Sequence, residues 1–172
     1  MIEAPAIAVV ALGAAATVTD WRTRRIPNVL TFGAAAVALA FAVATEGAQG
    51  GLRSLAGFAV GLLIFLPLFV LRALGAGDVK LLAAIGAWLG PSLVGWVAVY
   101  GAIAGGVLAV PWLVWRGRLR ATLANMWSLI LHWRLSGFEP HPVVTLDNPE
   151  AVRMPYALPI ALGVLATLWL RL

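Results

Sequence analysis

The chain has 172 residues, of which 62% are hydrophobic and only 11% are charged, whereas soluble domains carry about 25% charged residues. Together with a mean hydropathy of +0.97, this composition excludes a soluble globular protein and predicts one integral membrane domain over residues 1–172. Because the chain has no cysteine and only two histidines, it offers no disulfide framework, thiolate nucleophile or zinc module, and we expect neither metal nor cofactor.

The predicted fold is an all-α membrane protein with about six transmembrane helices and one amphipathic helix at the interface. The predicted spans are residues 2–19, 29–45, 52–74, 79–89, 92–115 and 154–170. The fourth is short, since its residues cover only about 16 Å as a helix. The first could be a secretory signal, but it lacks a basic N-terminal region, so we expect it to be retained.

The segments between the spans are polar or rich in glycine. Residues 20–28 form a link with three arginines, and residues 46–51 form a glycine-containing loop on the other side. Residues 121–135 place Leu123, Trp127 and Ile130 on one helical face, which predicts a helix in the plane of the interface. Residues 136–153 contain three prolines and three acids and are predicted to be a loop.

The basic residues predict the orientation of the chain. An extracytoplasmic N-terminus places all of the twelve basic residues except Arg53 and Arg171 on the cytoplasmic side. The net charge of +5 is thereby explained by topology, and we expect the bilayer but no nucleic acid among the partners.

The predicted topology places two carboxylates at the same depth in the membrane. Asp20 ends the first span and Asp78 opens the fourth, both on the predicted cytoplasmic side. Facing carboxylates cannot both ionise easily, so they share a proton, and one can act as a base towards water while the other acts as an acid. Such a pair carries out peptide hydrolysis without a covalent intermediate, with Gly75 and Gly77 letting an extended substrate come close to Asp78.

Each motif also has a simpler interpretation. An aspartate beside a membrane can simply cap a helix or mark the point where the helix leaves the bilayer. Gly75-Ala76-Gly77-Asp78 could be a phosphate-binding loop, but the rest of a Walker A spacing is absent. The simplest interpretation of Lys80 is a basic residue that anchors a helix end on the cytoplasmic side. Pro27-Asn28 is most simply a turn at the start of a helix. The pairs Gly57/Gly61 and Gly101/Gly105 are interpreted as helix packing only.

Three motifs in order resemble those of the type IV prepilin peptidases, which are membrane aspartyl proteases with a Gly-x-Gly-Asp signature. The motifs are Asp20 with Ile26-Pro27-Asn28, then residues 75–80, then Pro155-Tyr156-Ala157-Leu158-Pro159. The resemblance implies that Asp20 and Asp78 are the catalytic pair and that Gly75, Gly77, Lys80, Pro27, Asn28 and Pro155 support the site or the substrate. It also implies an enzyme of the prokaryotic inner membrane that removes the leader of prepilin or pseudopilin substrates on the cytoplasmic face.

The chain departs from the larger members of that family, which carry a cysteine-bearing insertion and also methylate the new terminus. It is similar to the small form of Tad-type pilus and archaeal preflagellin systems, so we expect no methylation. Presenilin-like proteases share Gly-x-Gly-Asp but carry a tyrosine before the first aspartate, where this chain has Thr19. A small transporter or channel subunit, or a non-catalytic scaffold of a secretion assembly, is the alternative outside this class.

Overall fold

A computed structural model describes residues 3–137, 139 and 155–171. These residues form six α-helices and no strand, which confirms the all-helical fold class. The helices are α1 (Glu3–Thr23), α2 (Asn28–Val70), α3 (Ala76–Leu89), α4 (Pro91–Trp115), α5 (Leu119–Ser136) and α6 (Ala157–Arg171). Three of them, α1, α2 and α4, are long and apolar enough to cross a membrane, which supports a membrane protein.

Helix α2 is a hairpin with a sharp bend at Gly47. Gly47 has φ 63° and ψ −148°, a conformation that residues with a side chain rarely adopt. The two halves correspond to the predicted spans 29–45 and 52–74. The predicted loop at 46–51 is therefore a tight turn at Gly47 between two helices, and a 2.7 Å ion pair between Arg53 and Glu46 bridges it.

Helix α3 packs against both halves of this hairpin. Along the first half, Lys80 bonds to Asn28 and Trp88 contacts Phe41 with ring centroids 5.6 Å apart, so the two segments run parallel. Along the second half the order is reversed, because Gly57 approaches Gly86 while Gly61 approaches Leu82. Both glycines of the Gly57/Gly61 pair make close helix contacts, which confirms their interpretation as packing residues.

Helix α3 is also the most deeply buried element in the described part of the chain. Residues 81–85 are each 0% exposed. Its 14 residues span about 21 Å, less than the roughly 30 Å hydrocarbon core. The short fourth segment is thus accommodated inside the protein, and it begins three residues earlier than its predicted start at 79.

Helices α1, α4 and α6 complete the bundle beside α2 and α3. Helix α6 runs antiparallel to α4, since Gly105 faces Tyr156 and Gly101 faces Pro159, while Gly163 faces Val97 at the other end. Of the predicted sixth span, 154–170, residue 154 lies outside the described residues, as does most of the predicted loop 136–153. The first helix continues beyond the predicted end at residue 19 and includes Asp20.

Candidate active site

Asp20 lies in the last turn of α1 and is buried, with 8% of its surface exposed. Its Oδ2 atom accepts a hydrogen bond of 3.3 Å from the backbone N–H of Ala157, the first residue of α6. The first N–H groups of a helix have no partner within the helix and attract negative charge. Asp20 therefore caps a helix that lies 137 residues away in sequence.

Asp78 lies in the first turn of α3, two residues after its first residue, Ala76. Its backbone N–H donates to the carbonyl oxygen of Gly75 at 3.2 Å. Burial, and after it the negative charge of Asp20, raises the pKa of the Asp78 carboxyl to about 7, although a hydrogen bond from the Gly75 backbone N–H to the carboxylate lowers the pKa. The fold thus brings the two aspartates into electrostatic contact at one end of the bundle.

The glycines before Asp78 leave room for neighbouring groups. A Cβ atom at Gly75 would lie 3.1 Å from Oδ2 of Asp78, and one at Gly77 would lie 3.2 Å from Cβ of Ile26. Gly77 is helical and Gly75 has φ −77°, so neither residue needs a conformation reserved for glycine. Gly77 stays within α3, and its lack of a side chain serves the close contact with Ile26.

Lys80 ties the start of α3 to the start of α2. Its Nζ donates to Oδ1 of Asn28 at 3.0 Å and lies 5.5 Å from the ring centre of Phe32. Pro27 is the residue before α2, with φ −62° and ψ 139°, and its carbonyl accepts the N–H of Leu30 at 3.1 Å. The side chains of Lys80 and Asn28 meet, although their motifs are far apart in sequence.

The last motif closes the site from the opposite side. Pro155 is buried, and Tyr156 lies next to α6, where its ring contacts Phe65 at 6.2 Å between centroids in an edge-on arrangement. A Cβ at Gly105 would lie 3.3 Å from the Tyr156 hydroxyl, so glycine at residue 105 lets the ring pack closely against α4. The same hydroxyl is an electrostatic neighbour of Asp78.

Tyr156, Phe65 and Gly105 were not predicted as site residues from the sequence. Tyr156 is part of the third motif, which could have indicated it, and its neighbour Ala157 contributes only a backbone group. Gly105 was assigned to packing, which it does, but the side chain packed there is Tyr156 of the site. Phe65 is one of many apolar residues in α2 and gives no sequence signal.

A sequence profile of the type IV leader peptidase family matches residues 7–110, which is more than half of the chain and includes both aspartates. The chain belongs to the type IV leader peptidase family. This finding confirms the resemblance seen in the motifs and supports a peptidase. Searches of curated proteins and of solved structures found no significant match.

As a type IV leader peptidase, the chain presents two carboxylates of unequal environment. One is fixed by a helix N-terminus, and the other is partly buried and has its pKa near neutrality. Pairs of acids whose environments differ in this way can divide the roles of base and acid between them. The profile match ends before α5 and α6, so Tyr156 and Ala157 lie outside the matched region.

Proposed function

We propose that this protein is an aspartic endopeptidase that removes the leader of prepilin or pseudopilin substrates. In the proposed reaction Asp20 and Asp78 activate a water molecule, which attacks the scissile carbonyl without a covalent enzyme intermediate. The proposal is supported by the electrostatic effect of Asp20 on Asp78 at one end of the bundle, in a chain of this family.

The two aspartates have different roles in this reaction. Asp20 accepts the Ala157 N–H at the N-terminus of α6, an arrangement that favours a carboxylate, so Asp20 takes the proton from water. Asp78 carries the shared proton near neutral pH, because its pKa is raised to about 7, and donates it to the carbonyl oxygen. The titration belongs to the pair, and activity should fall as the pH rises above about 7.

The site faces the cytoplasm in this proposal, and the protein lies in the inner membrane with an extracytoplasmic N-terminus. The support is the set of basic residues at the end of the bundle that carries the aspartates: Arg22, Arg24 and Arg25 after Asp20, Arg72 before Gly75, and Lys80. The opposite end carries Glu3, Glu46, Arg53 and Arg171. A substrate with an apolar helix would then be cut where that helix leaves the hydrocarbon core.

The test is cleavage of a co-expressed prepilin by variants that keep the shape of the aspartate but remove its charge. Asp20→Asn and Asp78→Asn should each lower the cleavage rate at least about 100-fold, the usual contribution of a general acid or base. The matched control is Glu3→Gln, which changes an exposed acid in the first turn of α1. Cleavage that persists in either aspartate variant would rule out the dyad.

A further inference from the structure

Helix α5 has no buried residue, although it has 18 residues and many large apolar side chains. Its exposed residues include Leu123 at 56%, Trp127 at 65% and Ile130 at 47%, which share one face of the helix. Thr122, Ser128 and His132, by contrast, are half-buried. The apolar face of α5 is therefore turned outwards, away from the described part of the protein.

The surroundings of this face are basic. Arg116, Arg118, Arg120 and Arg134 are all exposed, whereas the sequence contains no acid from residue 79 to residue 138. The arginines lie near both ends of α5, and the stretch between Arg120 and Arg134 is uncharged. An exposed apolar face flanked by exposed positive charge is complementary to a lipid surface, which is apolar inside and carries anionic headgroups outside.

The position of α5 follows from the helix before it. Helix α4 is one of the long apolar helices, and it ends at Trp115, directly before Arg116 and a turn at Gly117 with φ 64°. The Arg116 guanidinium lies 5.0 Å from the ring centre of Trp112, an arrangement found where aromatic rings and cations meet lipid headgroups. Because the turn is tight, α5 begins at the depth where α4 leaves the membrane.

A second copy of this chain fits the face less well. In a two-fold dimer the same patch would meet itself, so the four arginines of one α5 region would face the four arginines of the other. Among the described residues from 79 to 139 the single acid is Glu139, which is too little to compensate the repulsion between two sets of four arginines. The charge pattern thus favours a lipid surface over self-association.

We propose that α5 lies on the membrane surface, with its apolar face among the lipid chains and its arginines on anionic phospholipid headgroups. This inference does not depend on the catalytic roles of the aspartates, since it concerns residues that lie outside the matched family region. Its consequence is that the peptidase carries a second membrane contact besides its spanning helices.

The test uses the natural absence of cysteine, which allows single labels in the full-length protein. Spin labels at Ile130→Cys and, as the matched control, Asn125→Cys are compared in vesicles of phosphatidylcholine with and without phosphatidylglycerol. The Ile130 label should be reached by oxygen and shielded from a water-soluble nickel chelate, and phosphatidylglycerol should increase this shielding. The Asn125 label should be reached by the chelate in both kinds of vesicle.

A second variant separates the lipid charge from simple apolar contact. Replacement of Arg116, Arg118 and Arg120 by glutamine should abolish the effect of phosphatidylglycerol on the Ile130 label. Equal access of the chelate to both labels would overturn the proposal, as would shielding that disappears when the protein is diluted in lipid, which would indicate a second copy. If phosphatidylglycerol does not change the shielding of the Ile130 label, the proposed contact between the arginines and anionic headgroups is wrong.

Discussion

At the level of single residues, Asp20 and Asp78 sit at opposite ends of their own helices. Asp78 is in the first turn of α3, where the helix dipole favours a negative charge by about 0.3–1 kcal/mol. The pKa of its carboxyl is nevertheless raised to about 7, because burial outweighs the dipole and the Asp20 charge adds to it. Asp20 is near the C-terminus of α1, which is unfavourable for an anion, and the N-terminus of α6 compensates.

The raised pKa of Asp78 predicts how stability depends on pH. The folded protein holds this proton up to about pH 7, while the unfolded chain releases it near its ordinary pKa of 3.8. The free energy of unfolding should therefore fall as the pH rises from about 4 to about 7, by at most about 1.4 kcal/mol per pH unit from this group. Unfolding in detergent micelles at several pH values measures this slope.

The pH dependence of stability is compared in two variants, Asp78→Asn as the test and Glu3→Gln as the control. Asp78→Asn should flatten the slope between those pH values, because the titrating group is gone. Glu3→Gln, an exposed acid, should leave it unchanged. An unchanged slope in Asp78→Asn would show that Asp78 titrates in the same way in the folded and unfolded states.

Tyr156 is expected to act on the proposed acid through its hydroxyl. Tyr156→Phe keeps the ring that packs on Gly105 and Phe65, but removes the polar group beside Asp78. We expect kcat/KM for prepilin cleavage to fall about tenfold, the effect of losing roughly 1.4 kcal/mol of interaction with the proposed acid. Tyr100→Phe is the matched control, since its hydroxyl pairs with Arg171 at the other end. Equal activity of both variants would argue against a role for Tyr156.

At the level of elements, α3 is held by backbone contacts with the second half of α2. A Cβ atom at Gly61 would lie 2.5 Å from the carbonyl oxygen of Leu82, and Gly57 and Gly86 approach each other more closely still. Contacts of this kind let helix backbones pack directly, as in many membrane bundles. They hold the middle and the C-terminal half of α3, the helix that carries Asp78 in its first turn, against the second half of α2.

The Gly57 contact predicts a large difference in stability between alanine substitutions at two glycines of the α2 hairpin, Gly57 in its second half and Gly33 in its first. Gly57→Ala places a methyl group against the backbone of Gly86, which cannot move aside without shifting α3. It should lower the unfolding temperature and the activity together. Gly33→Ala, where nothing lies within 4 Å, should be neutral or stabilise by up to about 1 kcal/mol. The measurement is the thermal unfolding of both variants in the same detergent. Equal stability of the two variants would contradict the close packing of Gly57 on Gly86.

Hydrophobic runs predicted the helices well, but not how they join. The second and third predicted spans both exist within α2, yet a loop was expected where Gly47 makes a sharp turn, because sequence length does not show how tightly a chain reverses. The sequence predicts a start of α3 at residue 79, because the apolar run begins there, after the Gly-Ala-Gly-Asp stretch. In the structure tertiary contacts with Ile26 hold Gly77 in the helix and override its low helix propensity.

At the scale of the whole molecule, the charged residues at the two ends predict sidedness. Ala73 is exposed at the end that carries the aspartates, and Ala48 is exposed beside the hairpin turn at the other end. In intact cells a membrane-impermeant maleimide should label Ala48→Cys, whereas Ala73→Cys should react only after lysis. The opposite pattern would reverse the proposed orientation and place the site outside the cytoplasm.

The site itself was predictable only in part. The two aspartates could be paired from topology because each borders an apolar run, and membrane depth limits where they can lie. The bond between Asp20 and Ala157 could not be predicted, because its donor is a backbone group and any residue except proline supplies one. The meeting of Lys80 with Asn28 also depends on how α2 and α3 lie side by side, which periodicity alone does not determine.

The capping of α6 by Asp20 has a consequence for the order of biosynthesis. Both aspartates leave the ribosome well before residues 155–157, so Asp20 has no α6 amide to bind while the first four helices enter the membrane. The proposed base is oriented only when α6 arrives. A newly made chain would therefore remain inactive towards neighbouring nascent proteins until its own α6 has been made and has reached Asp20.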